Sequence, residues 1–360
     1  SIAMGASITA FPAVMSCGSR VTHALKEDEP IPLGLKVEHP NVNNLRVVGI
    51  TDSNMTIDIA PVSSWDQQEK LVAKEVIWEN IDKLACGLVE TEDPGNAWRS
   101  IFVKPPGKSW TDTVVAIKTN NISRQHTRSA VMAKICHALT DILAVKPGNI
   151  HNFDACHGGS ISKNTPFSDL PEGCRIENKW GGSAVRTMVP KPWKDGTGRS
   201  KCLKYLVDGS VDILINISMC KGHGQQFGGF TMTMKNHFGT FSPMPAHLTN
   251  GLDYLIGINR TPEILGEIDR QTGKVLFPRQ QLCVVDALWA SKGGPGGNPT
   301  HQPNFLAMGV LSPIVDYQVA TKFRGERMGW QPNMKAIRRM LTDFGINEKD
   351  LPVGGEIIGV

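Results

Sequence analysis

Between Thr113 and Phe153 an apolar run, a stretch of helical periodicity and a second apolar run follow one another, and this rhythm constrains the fold more than any other feature. Thr113–Ile117 (TVVAI) reads as a buried-type strand, closed by Lys118-Thr119-Asn120-Asn121. Ser129–Val145 places Val131, Ile135, Leu139 and Leu143 on one helical face, Pro147-Gly148 ends it, and Asn149–Phe153 begins the next strand. Strand, helix and strand in this order argue for βαβ units and a mainly parallel sheet.

The rest of the chain extends the pattern. Leu45–Ile50, Val211–Ile217, Gln281–Val285 and Phe305–Leu311 are further strand candidates. Asp66–Leu88 and Pro332–Phe344 have the apolar spacing of amphipathic helices. Residues 91–111, with Pro94-Gly95 and Pro105-Pro106-Gly107, read as loop. Residues 155–200 are rich in Gly, Pro, Ser and Asn and read as a long loop insertion. The expected fold is α/β, a mainly parallel sheet with flanking helices and that insertion. The chain divides into an apolar tail over 1–19, a linker or arm over 20–44, and one α/β domain over 45–360.

With 38 basic and 34 acidic residues and no block of like charges, the sequence carries no nucleic-acid footprint. The eight cysteines include no CxxC pair, so ferredoxin-type clusters and zinc ribbons have no motif here. Ser1–Ser16 is apolar and uncharged and precedes Cys17, as in the hydrophobic and C-terminal part of an export signal. A tail of this kind would dock on its own domain, on a neighbouring subunit in a homo-oligomer, or on lipid.

Ligands in open α/β sheets gather beyond the carboxyl ends of the strands. The polar residues past the predicted strand ends are Asp52, Lys118 with Asn120, Asp154, Lys221 with His223, and Asp286. The stretch Asp212–Gly239 adds Cys220, a glycine-rich turn, Thr231, Lys235, Asn236 and His237. Thr231 and Lys235 share a face whether their segment is strand or helix. Lysines, amides and exposed N–H groups in one place suit a carboxylate or phosphate oxygen. His223 and Asp286 form the candidate acid–base pair, since imidazole titrates near neutrality and a carboxylate can orient it. Cys220-x-x-His223 has ligand-compatible spacing for a metal, with His237, His126, His157 or Asp286 available to complete a shell. Cys220 beside Lys221 could also serve as a nucleophile. Gly222-x-Gly224 with Gly228-Gly229 has the wrong spacing for a dinucleotide loop, and no P-loop pattern occurs.

Several ordered blocks resemble the uncharacterised family called domain of unknown function 362. They are Asn96–Arg99, Val115–Asn120, Asp212–Asn216, Lys221-Gly222-His223, Met234–Gly239, Val285-Asp286-Ala287 and Gly293-Gly294-Pro295. Relatives often show Asp-Pro followed by a second Asp near the end, whereas this chain has Ser312-Pro313-Ile314-Val315-Asp316. The resemblance implies the exported branch with a twin-arginine signal, hence a periplasmic or extracellular place, but no activity. Three functions stay open. The first is an enzyme or binding protein for a small anion, the second a metal-binding or redox protein, and the third a structural subunit acting through its tail.

Overall fold

A computed structural model of the chain describes residues 31–32, 34–58, 65–122, 125–154, 167–177, 184–248 and 251–352. The tail over 1–19 and the start of the arm lie outside them, as do His157 and parts of the 155–200 insertion. In chain order the strands are β1 (Val47–Thr51), β2 (Val115–Lys118), β3 (Ile150–Phe153), β4 (Arg175–Glu177), β5 (Val185–Met188), β6 (Arg199–Cys202) and β7 (Ile213–Met219). They continue with β8 (Lys221–Gly222), β9 (Phe230–Thr231), β10 (Gly266–Ile268), β11 (Val275–Pro278), β12 (Gln280–Ala287) and β13 (Phe305–Gly309).

Seven of these, among the described residues, form the central sheet in the order β1-β13-β12-β7-β2-β3-β4. The pairs β12–β7, β7–β2, β2–β3 and β3–β4 are parallel, while β13 runs antiparallel to both β12 and β1. The α/β expectation therefore holds. From β2 the chain winds one way through β3 to β4, then returns to the other side of β2 as β7 and continues to β12. The winding direction reverses between β2 and β7, and open α/β sheets take their ligands beyond the carboxyl ends of the strands at such a point.

Alternating side chains send the sheet's two faces into separate cores. Val115, Ile117, Ile213, Ile215, Ile217, Val284, Leu306 and Met308 pack with residues of the helices Lys74–Val89, Pro94–Ile101 and Ser129–His137. Ala116, Leu214, Cys283, Val285 and Ala307 face residues of the helices Gly251–Asn259, Ser312–Gln318 and Met334–Thr342. Both faces being covered explains why the strands read as unbroken apolar runs.

Three local expectations change. Pro94–Ile101 is a helix rather than loop: Asp93 caps it by accepting from Asn96 N at 2.6 Å, and Pro94 occupies the first turn, where a missing N–H costs nothing. The expected helix over Asp66–Leu88 is two, Trp65–Leu71 and Lys74–Val89, because Val72 leaves the spiral to bridge Thr56. The described parts of the 155–200 insertion hold the edge strand β4 and most of the β5–β6 hairpin. From the arm, Ile31 and Leu35 join the core, and Lys36 pairs with Lys274. No described helix is long and apolar enough to cross a membrane.

Candidate functional site at the carboxyl ends of the parallel strands

Lys118, the last residue of β2, sits beside Asn216 of β7 in register. Both point to the sheet face on which the Thr233–Asn236 turn packs. Asn216 is a lone amide inside an apolar strand, and burial obliges it to find partners. Its Nδ2 lies 2.8 Å from Thr233 O and 3.1 Å from Gln280 Oε1, and its Oδ1 accepts from Asn236 Nδ2 at 2.8 Å. That anchors the Lys235-Asn236-His237 block to the middle of the sheet.

Phe230–Lys235 proves to be strand and helix in turn. Phe230–Thr231 pairs with Lys221–Gly222, and Thr233–Asn236 then makes a single helical turn. The start of that turn is held by Asp316, which accepts from Thr233 N at 2.7 Å, Thr233 Oγ1 at 2.6 Å and Met234 N at 3.0 Å. Burial pushes the Asp316 carboxyl up to about 6 against these bonds, which favour its charge. The segment whose first Asp is missing thus supplies a helix, and its second Asp has a structural task.

Around Asn236 the polar groups converge. Its Oδ1 accepts from Lys118 Nζ at 3.3 Å and from Asn120 Nδ2 at 3.0 Å. Asn120 Oδ1 in turn accepts from Lys221 Nζ at 2.6 Å, and Lys221 also donates to Ile122 O at 3.0 Å. Lys118 forms an ion pair with Asp154 at 3.2 Å, past the end of β3. Both lysines are only 1% exposed, so they are not solvated surface groups. Lys118, Asn120, Lys221 and Asn236 therefore meet where the winding reverses.

His237 belongs to the same network but faces inward. Its Nε2 lies 2.7 Å from Gln280 Oε1 and its Nδ1 lies 3.1 Å from Thr240 Oγ1. Burial, with the Lys118 charge adding to it, pushes this imidazole down to about 3 despite the Gln280 bond. It is a neutral strut between β12 and the turn.

Lys235 and His223 form a second, outer group. Lys235 Nζ stands 4.2 Å from the Phe238 ring centre and 5.0 Å from that of Phe227. His223 packs edge-on against Phe227 with centroids 5.0 Å apart. Burial and then the Lys235 and His247 charges push His223 down to about 3. Its Nδ1 accepts from Gly224 N at 2.8 Å, which leaves the proton on Nε2. A neutral ring in this state offers an N–H to a ligand and is a weak base near neutrality.

The proposed acid–base partnership does not form. Asp286 accepts from Arg128 N at 2.9 Å and Leu288 N at 3.2 Å, while Glu69 accepts from Ser129 N at 3.1 Å. These two carboxylates occupy the start of the helix Ser129–His137, so Asp286 holds that helix rather than His223. Burial raises both carboxyls, with the Arg128 charge opposing it. Cys220 and His223 also part company. Cys220 is fully buried, takes a hydrogen bond from Arg324 Nη1 at 3.5 Å, and has its thiol pushed up by burial. No group of three or more His, Cys, Asp or Glu among the described residues could hold a metal ion. Thr231 is the backbone partner of Lys221, and its buried Oγ1 has no hydrogen-bond partner among the described residues.

The glycine-rich turn is shaped by close approach. A Cβ on Gly222 would collide with the carbonyl oxygen of Lys292, and Gly222 N donates to Gly293 O at 3.1 Å. The Gly293-Gly294 loop thus closes over the end of β7. Gly222→Ala is expected to cost about 1–3 kcal/mol through this overlap, read as a lower urea midpoint. An unchanged midpoint would show that the loop does not lie there.

Sequence reasoning missed Asn216, Gln280 and Asp316. The signal for Asn216 was available, since an amide inside DILINIS must be satisfied by something packed against that strand. Gln280 and Asp316 gave no local sign, because their partners lie 43 and 83 residues away.

Fold and site together define an α/β protein with a buried Lys–Asn cluster at a switch point of a mainly parallel sheet. Residues 115–320, more than half of the chain, match the family model described as Domain of unknown function (DUF362). The chain belongs to this family, and the matched region runs from the first residue of β2 to the segment just past Ser312–Gln318. No curated protein matches the chain.

Proposed function

We propose that the switch point between β2 and β7 binds a small organic or inorganic anion through a carboxylate or phosphoryl oxygen. One observation carries this reading: the bonded chain Lys118–Asn236–Asn120–Lys221, which brings two buried ammonium groups from adjacent strand ends onto one amide pair. An incoming oxygen would replace Asn120 Oδ1 as the acceptor for Lys221, as an ammonium group exchanges acceptors without changing its own geometry. Lys235 and the His223 Nε2–H would meet the ligand at the outer turn. This is a binding function, and no proton-transfer step is assigned to it.

Calorimetric titration with inorganic phosphate and with malonate tests the reading. Saturable binding of one of them, weakened at least tenfold in Lys221→Gln, is expected. Heats absent for both anions, or identical in wild type and variant, would overturn it. Thermal melts give an independent check, since a ligand at 100 times its Kd raises stability by about 2.7 kcal/mol.

We also infer export, in the twin-arginine branch, with attachment to a membrane or a second copy through the apolar tail. Ser1–Ser16 ahead of Cys17 supports this. Fractionation of cells that make the protein from its native gene tests it, and recovery in the cytosol alone would refute it.

A further inference from the structure

Cys136 and Cys174, far apart in sequence, come together at the β4 side of the sheet. Cys136 is fully buried near the end of the helix Ser129–His137. Cys174 is half-buried and follows a tight turn in which its N–H donates to Pro171 O at 3.1 Å, just ahead of β4. β4 pairs with β3 in the register Asn152↔Ile176. The Asn152 side chain ties the two places together. Its Oδ1 lies 3.7 Å from the Cys136 sulfur, and its Nδ2 donates to Arg175 O, next to Cys174, at 3.1 Å. The two thiols are within hydrogen-bonding reach of each other, and both are free.

We propose that Cys136 and Cys174 are an oxidisable dithiol that closes to a disulfide by exchange with an external disulfide, Cys174 attacking and Cys136 resolving. In the first step the Cys174 thiolate attacks one sulfur of the external disulfide, forming a mixed disulfide and expelling the other sulfur as a thiolate. The Cys136 sulfur then attacks the Cys174 sulfur of the mixed disulfide and expels the second half, whose leaving thiolate takes the Cys136 proton. One S–S bond forms in the protein, and the external disulfide is reduced to two thiols.

The roles follow from surroundings. Cys174 is partly open to solvent, and a hydrogen bond from Cys136 lowers its pKa. Cys136 is raised by that bond and by burial, which disfavours its thiolate. Two of the other buried thiols have different neighbours: Cys220 lies against Arg324 and Cys283 lies 3.4 Å from Ser312 Oγ. Closure would fasten the approach to β4 onto the helix that crosses from β2 to β3. β3 itself leads into Asp154, the partner of Lys118, so the bridge would brace one wall of the candidate site.

The test treats folded wild-type protein with oxidised glutathione, alkylates free thiols, and digests without reduction. A peptide pair joining Cys136 to Cys174, lost on treatment with dithiothreitol, is expected. In Cys136→Ser a glutathione adduct should persist on Cys174, and in Cys174→Ser Cys136 should carry none. Separate alkylation of Cys136 and Cys174 in oxidised wild type would overturn the proposal. An adduct on Cys136 in Cys174→Ser would overturn the assignment of roles. The wild-type measurement stands by itself if either variant fails to fold.

Discussion

Replacing Lys118 with Met should lower the stability of the folded protein by roughly 3–5 kcal/mol, the cost of breaking a buried ion pair from one side. The Lys118 ammonium lies 3.2 Å from Asp154, and neither side chain is more than 1% exposed. Methionine fills the stem's volume but leaves the Asp154 charge in the interior without this cation. It also removes the donor that Asn236 Oδ1 accepts at 3.3 Å. Adding Asp154→Asn to Lys118→Met should recover part of the loss, because no uncompensated charge then remains. Urea unfolding of the two single variants and the double variant measures the coupling. A Lys118→Met midpoint indistinguishable from wild type would mean that the ammonium is not held in the interior as described.

Asp316→Ala should be comparably damaging, by roughly 3–5 kcal/mol, since it strands three buried donors at the start of the Thr233–Asn236 turn, each worth about 1–3 kcal/mol. The milder Asp316→Asn tests the titration. The carboxyl sits at about 6 in the folded chain against an ordinary 3.8. Between these values the folded state binds more protons than the unfolded one. The contribution of Asp316 is therefore fully present below about pH 4 and is lost as pH rises through about 6.

His237 and His223 act with the opposite sign. Both are lowered to about 3, so their contribution is present above about 6.5 and is lost as pH falls. Wild-type stability mixes the two trends, and the difference between wild type and Asp316→Asn isolates the carboxyl. That difference should fall as pH rises from about 4 to about 6. Parallel pH curves for the two proteins would contradict a raised Asp316.

The residues show why some of this was legible and some was not. β2, β7 and β12 announce themselves because a strand covered on both faces must be apolar at every position, whatever the rest of the chain does. The Asp93-Pro94 start of a helix was written in the sequence and misread, since the proline that breaks a helix interior also opens a first turn. The break at Val72 was not written there. Leu71 and Val72 keep helical spacing, and only the bonds from Ile57 N to Leu71 O at 2.8 Å and from Ala73 N to Met55 O at 3.0 Å divide the helix.

At the site, sequence by itself determined which groups are available: three lysines, two asparagines and two histidines close to apolar strands and glycines. The tertiary structure decided which of them meet. It placed β7 against β2, so that Lys118 and Lys221 converge on Asn120 and Asn236, and it sent Lys235 and His223 to an outer aromatic wall. It also gave Asp286 to a helix start and Cys220 to Arg324. The reason is physical: local periodicity fixes the kind of element and its buried faces, whereas the neighbours at a strand end depend on the sheet order, set by packing between segments a hundred residues apart.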